Sequence, residues 1–199
     1  LLTALVSVFS ANINHYTQVL NASRLNQELQ TTLEMMSDDI RRTGYYANAY
    51  NDVGTRNNSN PFVSTSSGTD LSINGSNNCI LLSYDRNGDG TLPAINADID
   101  DERYGYRLMN QTIQARPPGS TFNCTASASE WENVTDSNIV TITALTFTIN
   151  QTNIITGPGT KGITVRSVDI TMSGRLAKDA SITKTLTQHV RIMNDKYIP

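Results

Sequence analysis

Charged residues are scarce in this sequence. Fifteen Lys and Arg and eighteen Asp and Glu in 199 residues leave a net charge of −3. A nucleic-acid partner needs clustered cations against phosphate, so no nucleic acid is expected. Histidine occurs only as His15 and His189, and neither sits in a nucleophile motif. No G-x-S-x-G occurs. The Gly157–Gly162 turn contains Lys161 but lacks the G-x-x-x-x-G-K-[ST] spacing and precedes a strand, so it is not a phosphate loop. His189 reads as a strand histidine facing solvent or a charged neighbour. Two cysteines exclude both a Cys-rich scaffold and a four-cysteine zinc site. The chain reads as non-enzymatic.

The absences are unevenly placed. From Leu1 through Ser23 no residue carries a formal charge, and from Leu1 to Thr43 there is neither Gly nor Pro. Leu1–Phe9 is nearly all apolar, yet far short of the roughly 20 residues that a bilayer crossing needs. No basic flank or small-residue cleavage site marks it as a secretory signal. It reads as the distal end of a longer apolar segment, against the alternative of a buried helix in a soluble domain. Leu25, Leu29, Leu33, Met36 and Ile40 then recur at spacings of four, four, three and four, with Gln27, Glu28, Gln30, Glu34, Asp38 and Asp39 between them. That is one stripe of an amphipathic helix. Arg41 and Arg42 suit its C-terminal dipole, and Gly44 sits where a C-terminal cap is expected. Such a helix would be about 65 Å long at 1.5 Å per residue, so its first half should project from a head of this size.

What is abundant is Asn and Thr, 46 of 199 residues together. Thr favours half-buried strands and Asn favours turns. Strand-like pieces are expected at Pro61–Ser64, Leu71–Ile73, Cys79–Tyr84, Tyr104–Met109 with a hairpin partner at Gln111–Gln114, Ile139–Ile149, Ile163–Ser173 and Ile182–Ile192. Short turns between consecutive strands favour antiparallel pairing. The predicted class is α+β: a helical region at 1–44, then a β-rich head at 45–199. Trp131 is expected in the core or at a sheet edge.

Asp85-Arg-Asn-Gly-Asp-Gly90 carries the sharpest local motif. Asp85, Asn87 and Asp89 put oxygen ligands on alternate residues, Gly90 permits the bend, and Thr91 could add a carbonyl, as in the first half of a calcium loop. The second half departs: Pro93 holds the ninth position and Asn96 the twelfth, where a bidentate Glu would sit. Asp98, Asp100, Asp101 and Glu102 follow closely enough to complete a hard-cation site. The competing reading is a tight turn whose carboxylates cap backbone N–H groups without metal. Cys79 and Cys124 would pair in an oxidising compartment and remain two buried thiols in a reducing one.

The helix ending, Leu29-Gln-Thr-Thr-Leu-Glu-Met-Met-Ser-Asp-Asp-Ile-Arg-Arg-Thr-Gly-Tyr45, resembles the minor pilins of type IV pili, of the PilW type, related to the J-type minor pseudopilins of type II secretion. The likeness returns at Cys79–Gly90, Tyr104–Leu108, Trp131–Asp136, Val140–Phe147 and Val190–Asp195. It implies a pilin-like fold and a helix held in the bacterial inner membrane, with the head in the periplasm, until assembly into a cell-surface pilus. It implies a part in initiating assembly, a place at or near the tip, and other minor pilins and the major pilin as partners. Leu1, Leu2, Leu5, Val6 and Phe9 would pack against neighbouring pilin helices, while Leu25, Leu29, Leu33, Met36 and Ile40 hold the head. A secretion pseudopilin and a tip-exposed, calcium-stabilised binding module are the alternatives. The processing site, N-terminal aromatic and acidic residue of the family pattern do not occur at the start of this chain.

Overall fold

A computed structural model describes residues 2–52, 59–64, 69–95, 100–155 and 162–198, with side chains from residue 16 onward. Helix α1 spans Leu2–Arg42. Its stripe is buried: Leu25, Leu29, Leu33, Met36 and Ile40 lie in the core. Thr32 and Ser37 are buried beside them because each hydroxyl donates to a carbonyl one turn back, Glu28 O at 2.9 Å and Leu33 O at 2.7 Å. The helix stops at Gly44, whose φ of +74° suits a residue without a side chain. A Cβ there would also come within 2.8 Å of Val63 Cγ1. The freed carbonyls of Arg41, Arg42 and Thr43 accept hydrogen bonds from Met193 N and the Asn194 amide, so the chain's end covers the helix's end.

Among its described residues the head contains two antiparallel sheets. The first is ordered β1 (Ser72–Ile73), β2 (Cys79–Ser83), β3 (Arg103–Met109), β4 (Thr112–Ala115) and β5 (Glu132–Asn133). The second is ordered β6 (Val140–Ile155), β7 (Gly162–Leu176) and β8 (Thr183–Arg191), with β9 (Lys196–Ile198) pairing the start of β7 beyond the end of β8. Single backbone bonds tie β6 to the turns of the first sheet, from Ile142 N to Gln111 O and from Phe147 N to Asn77 O. Helix α1 packs on β7 and β8, and one core joins it to both sheets.

Strand β6 shows how the pattern is satisfied. Val140 and Ile142 face inward on even numbers, Leu145 and Phe147 on odd ones. A register shift between Ile142 and Ala144 inserts an extra residue and exchanges the faces, so all four reach the core. The threonines occupy the other face, where Thr171 pairs with Thr187 and Ser173 with Thr185 across strands. Pro61–Ser64, expected as strand, instead forms a 3₁₀ turn at Pro61–Val63. Proline fits its first position, and Asn60 caps it by accepting from Phe62 N at 2.8 Å. The Gly157–Lys161 part of the expected turn lies outside the described residues, as do the side chains of Leu1, Leu2, Leu5, Val6, Phe9 and His15. Among the described residues no helix is long and apolar enough to cross a membrane.

The burial contrast along α1 is measurable. Leu29→Ala should lower the unfolding free energy by about 2–5 kcal/mol in urea denaturation, whereas Gln30→Ala on the exposed face should change it by about 0.5 kcal/mol or less.

Candidate functional site

The residues with most chemistry gather where α1 meets the first sheet. Asp39 lies within one turn of both Met36 and Ile40, so it sits at the edge of the buried stripe and faces the head. Its carboxylate accepts from Tyr84 Oη at 2.8 Å and, through the other oxygen, from Tyr106 Oη. Tyr104 stacks on Tyr84 with ring centroids 4.3 Å apart. Burial, reinforced by the Asp39 charge, pushes the Tyr84 and Tyr106 hydroxyls well above the ordinary tyrosine range. These phenols are therefore fixed donors, and they clamp the last turns of the helix to β2 and β3.

The Asp85 loop adjoins this clamp. Asp85 N donates to Tyr45 O at 3.0 Å, Ala47 N donates to Asp85 Oδ2 at 2.9 Å, and the Asn48 amide donates to Asp89 O at 3.4 Å. Inside the loop, Asp85 accepts from Gly88 N and Gly90 N, Asn87 Oδ1 from Asp89 N, and Asp89 Oδ1 from Thr91 N. Gly90 has a φ of +72°, and a Cβ there would run into the Asn48 amide. The downstream acids separate by role. Asp101 is buried in an ion pair with Arg103 at 3.0 Å and Arg116 at 2.5 Å, while Asp100 is exposed. Asp98 and Asn96 lie outside the described residues. Glu102 returns to the loop, and one carboxylate oxygen each from Asp85, Asp89 and Glu102 lie within 4.8 Å of one another.

A second cluster surrounds the disulfide. Cys79 and Cys124 are bonded, with Cα atoms 6.0 Å apart. Trp131 packs with them and with Leu81. The fully buried Arg107 stacks over Trp131 at 4.4 Å and donates to Cys124 O, Ala126 O and Gln114 Oε1. It thus pins the Cys124 segment to the sheet at several points. Sequence reasoning missed both Arg107 and the inward role of Asp39. The available signals were a lone charge in mid-strand and an acid bordering an apolar stripe. His189 is exposed and lies 2.6 Å from Asp169, whose carboxyl is held below its usual range by His189 and Asn150.

Along α1, the surface changes character before the head begins. Every residue from Tyr16 to Leu20 is exposed, and Tyr16, Val19 and Leu20 are 68%, 54% and 52% accessible. A long helix docked at one end and apolar at the other is the arrangement of a pilin-like subunit. The family model described as PpdB, prepilin peptidase-dependent protein B, matches residues 18–192. The chain belongs to this family. It is thereby a type IV pilin-related, pseudopilin-like protein, associated with other pilus components in general terms. A protein of Haemophilus influenzae, described as uncharacterized, is 25% identical over 206 residues, covering 87% of this chain and 81% of its own length. No solved structure matches.

Two measurements follow from this geometry. Because the folded pKa values of Tyr84 and Tyr106 are raised, their contribution is complete below about pH 10 and is lost as pH rises beyond it. Phenolate absorbance should show both hydroxyls un-ionised in the folded protein at about pH 11; ionisation of all eight tyrosines with the fold intact would contradict the clamp. Replacing both cysteines by serine should cost about 2–4 kcal/mol in urea, because the bond closes a long loop.

Proposed function

We propose that this protein is a minor pilin of the PilW type that takes part in initiating type IV pilus assembly and sits at or near the pilus tip. The supporting observation is the division of α1. Leu25 to Ile40 is spent on the protein's own head, whereas among the described residues Tyr16, Val19 and Leu20 stand more than half exposed. Exposed apolar side chains in one turn are favourable only against another apolar surface. In this reading that surface is formed by the helices of other minor pilins and the major pilin. In the same reading Leu1, Leu2, Leu5, Val6 and Phe9 would pack against neighbouring pilin helices, and the helix would be held in the inner membrane before assembly.

The reading is one of assembly rather than catalysis. The tyrosines around Asp39 serve as structural donors, and the head supplies contacts to neighbouring heads. An open cleft of about 580 Å³ lies where α1 departs, lined by Asn21, Arg24, Asn138, Leu176 and Lys178 among others. It places a largely apolar surface fringed by Arg24, Lys178 and Asp179 beside the exposed helix, suited to a neighbouring head.

Val19→Glu and Leu20→Glu alter exposed positions, so the purified protein should melt within about 2 °C of the parent, equivalent to less than 1 kcal/mol. Pilus formation in cells should nevertheless be lost, because a charge in an apolar helical core costs about 2–3 kcal/mol or more. Val6→Asp and Phe9→Asp should behave alike. Normal piliation by these variants, with the protein present at parental levels, would sink the packing role.

A further inference from the structure

We infer that the Asp85 loop and Glu102 form a calcium site at the helix–head junction. The inference goes beyond the assembly reading and stands on the loop's own geometry. Asp85, Asn87 and Asp89 alternate as oxygen-bearing residues, and Asp85, Asp89 and Glu102 converge to within 4.8 Å. Convergent acids alone would not make a site. The decisive atom is Glu102 Oε2. Glu102 is fully buried, its Oε1 accepts from Arg86 N at 2.5 Å and Asn87 N at 3.1 Å, and its Oε2 is buried with no hydrogen-bond partner among the described residues. Because Oε1 is held against the loop backbone, Oε2 is held beside the same loop.

A buried, unpartnered carboxylate oxygen costs free energy unless something positive meets it. Here the cost is compounded. Among the described residues none of Asp85, Asp89 and Glu102 has an ion-pair partner, and the other two acids repel Glu102. Asp101, by contrast, is matched by two arginines one residue away. The fold thus neutralises one acid of an adjacent pair and leaves the other beside two more carboxylates. A divalent cation supplies the missing charge.

The chemistry favours calcium. All donors are hard oxygens, and the loop offers the D-x-N-x-D-G half of a calcium loop with the carbonyl of Thr91 in sequence position to join. What that half-loop lacks is the acidic residue that closes the coordination sphere. Glu102, the residue just before β3, supplies it instead of the twelfth loop position. Magnesium, which keeps several waters and demands octahedral geometry, fits a carboxylate-rich loop less well. Since the loop is bonded to Tyr45 and Asn48 through its backbone and to Ala47 through the Asp85 carboxylate, occupancy would stiffen the exit of α1 from the head.

The test uses the full 199-residue chain, freed of metal by chelator and titrated with calcium chloride alone. Calorimetry should give one site per chain. Calcium at about 100 times Kd should raise Tm by about 5–10 °C, reversibly on chelation, and magnesium at the same concentration should raise it less. Asp89→Asn, on an exposed side chain, should weaken calcium binding at least about tenfold, in keeping with the dependence of affinity on ligand charge. Glu102→Gln should melt at or above the parent without calcium and gain nothing from it. Should that variant fail to fold, Asp89→Asn decides alone. Absence of heat and of a Tm shift up to about 10 mM calcium, beyond the weakest class of extracellular site, overturns the proposal. So does an undiminished response in Asp89→Asn, or an equal response to magnesium. None of these outcomes bears on whether Val19 and Leu20 mediate assembly, so the two readings fail separately.

Discussion

The structure depends on the burial of one helical stripe, Leu25 to Ile40, against β7 and β8. Five large apolar side chains leave water together, and each contributes on the order of 1.5–3 kcal/mol of transfer free energy. The strands beneath are bound by the same constraint. β6 must present Val140, Ile142, Leu145 and Phe147 on one face, and it bulges near Thr143 to do so. The first sheet adds Ile80, Leu82 and Ile113 to the same core. Helix and head are therefore one cooperative packing unit.

Polar contacts then fix what packing alone leaves loose. A helix lying on a sheet can slide or rotate at modest cost, but Asp39 admits one placement in which both tyrosine hydroxyls reach it. Met193 and Asn194 close the helix's last carbonyls, and the Asp85 loop holds the chain just beyond Gly44. These contacts lie at the C-terminal end of α1. They fix the direction in which α1 leaves the head, and on the described part of that departure Tyr16, Val19 and Leu20 are exposed. In the proposed assembly role, rigidity at this junction would set the direction in which the helix meets its neighbours.

Much of the fold was legible in the sequence because its signals are local. The 3.6-residue stripe, the unbroken run before Gly44 and the alternation in Leu145, Phe147 and Ile149 follow directly from side-chain period. One departure was itself local: Pro61–Ser64 has strand-like residues, but proline and the Asn60 cap favour a turn. The others were non-local. β5 and β9 are two- and three-residue strands that exist only because a longer neighbour offers an unpaired edge. The division into two sheets likewise depends on which edges meet. At the candidate site, the sequence showed the spacing of Asp85, Asn87 and Asp89 but could not choose among the four acids downstream. Asp101 and Glu102 are neighbours in the chain with opposite fates, because successive side chains there point to different surroundings.

By itself, then, the sequence determined the helix, its two unlike halves, the strand-rich head and the alternating loop oxygens, since each is written in spacing along the chain. Tertiary structure decided which charges are matched. It gave Asp101 two arginines, Asp39 two tyrosines, and Arg107 a tryptophan and three carbonyls, and among the described residues it left Glu102 Oε2 without a donor. The physical reason is that the cost of a charge depends on what folding brings within a few ångströms of it, and no local pattern specifies that.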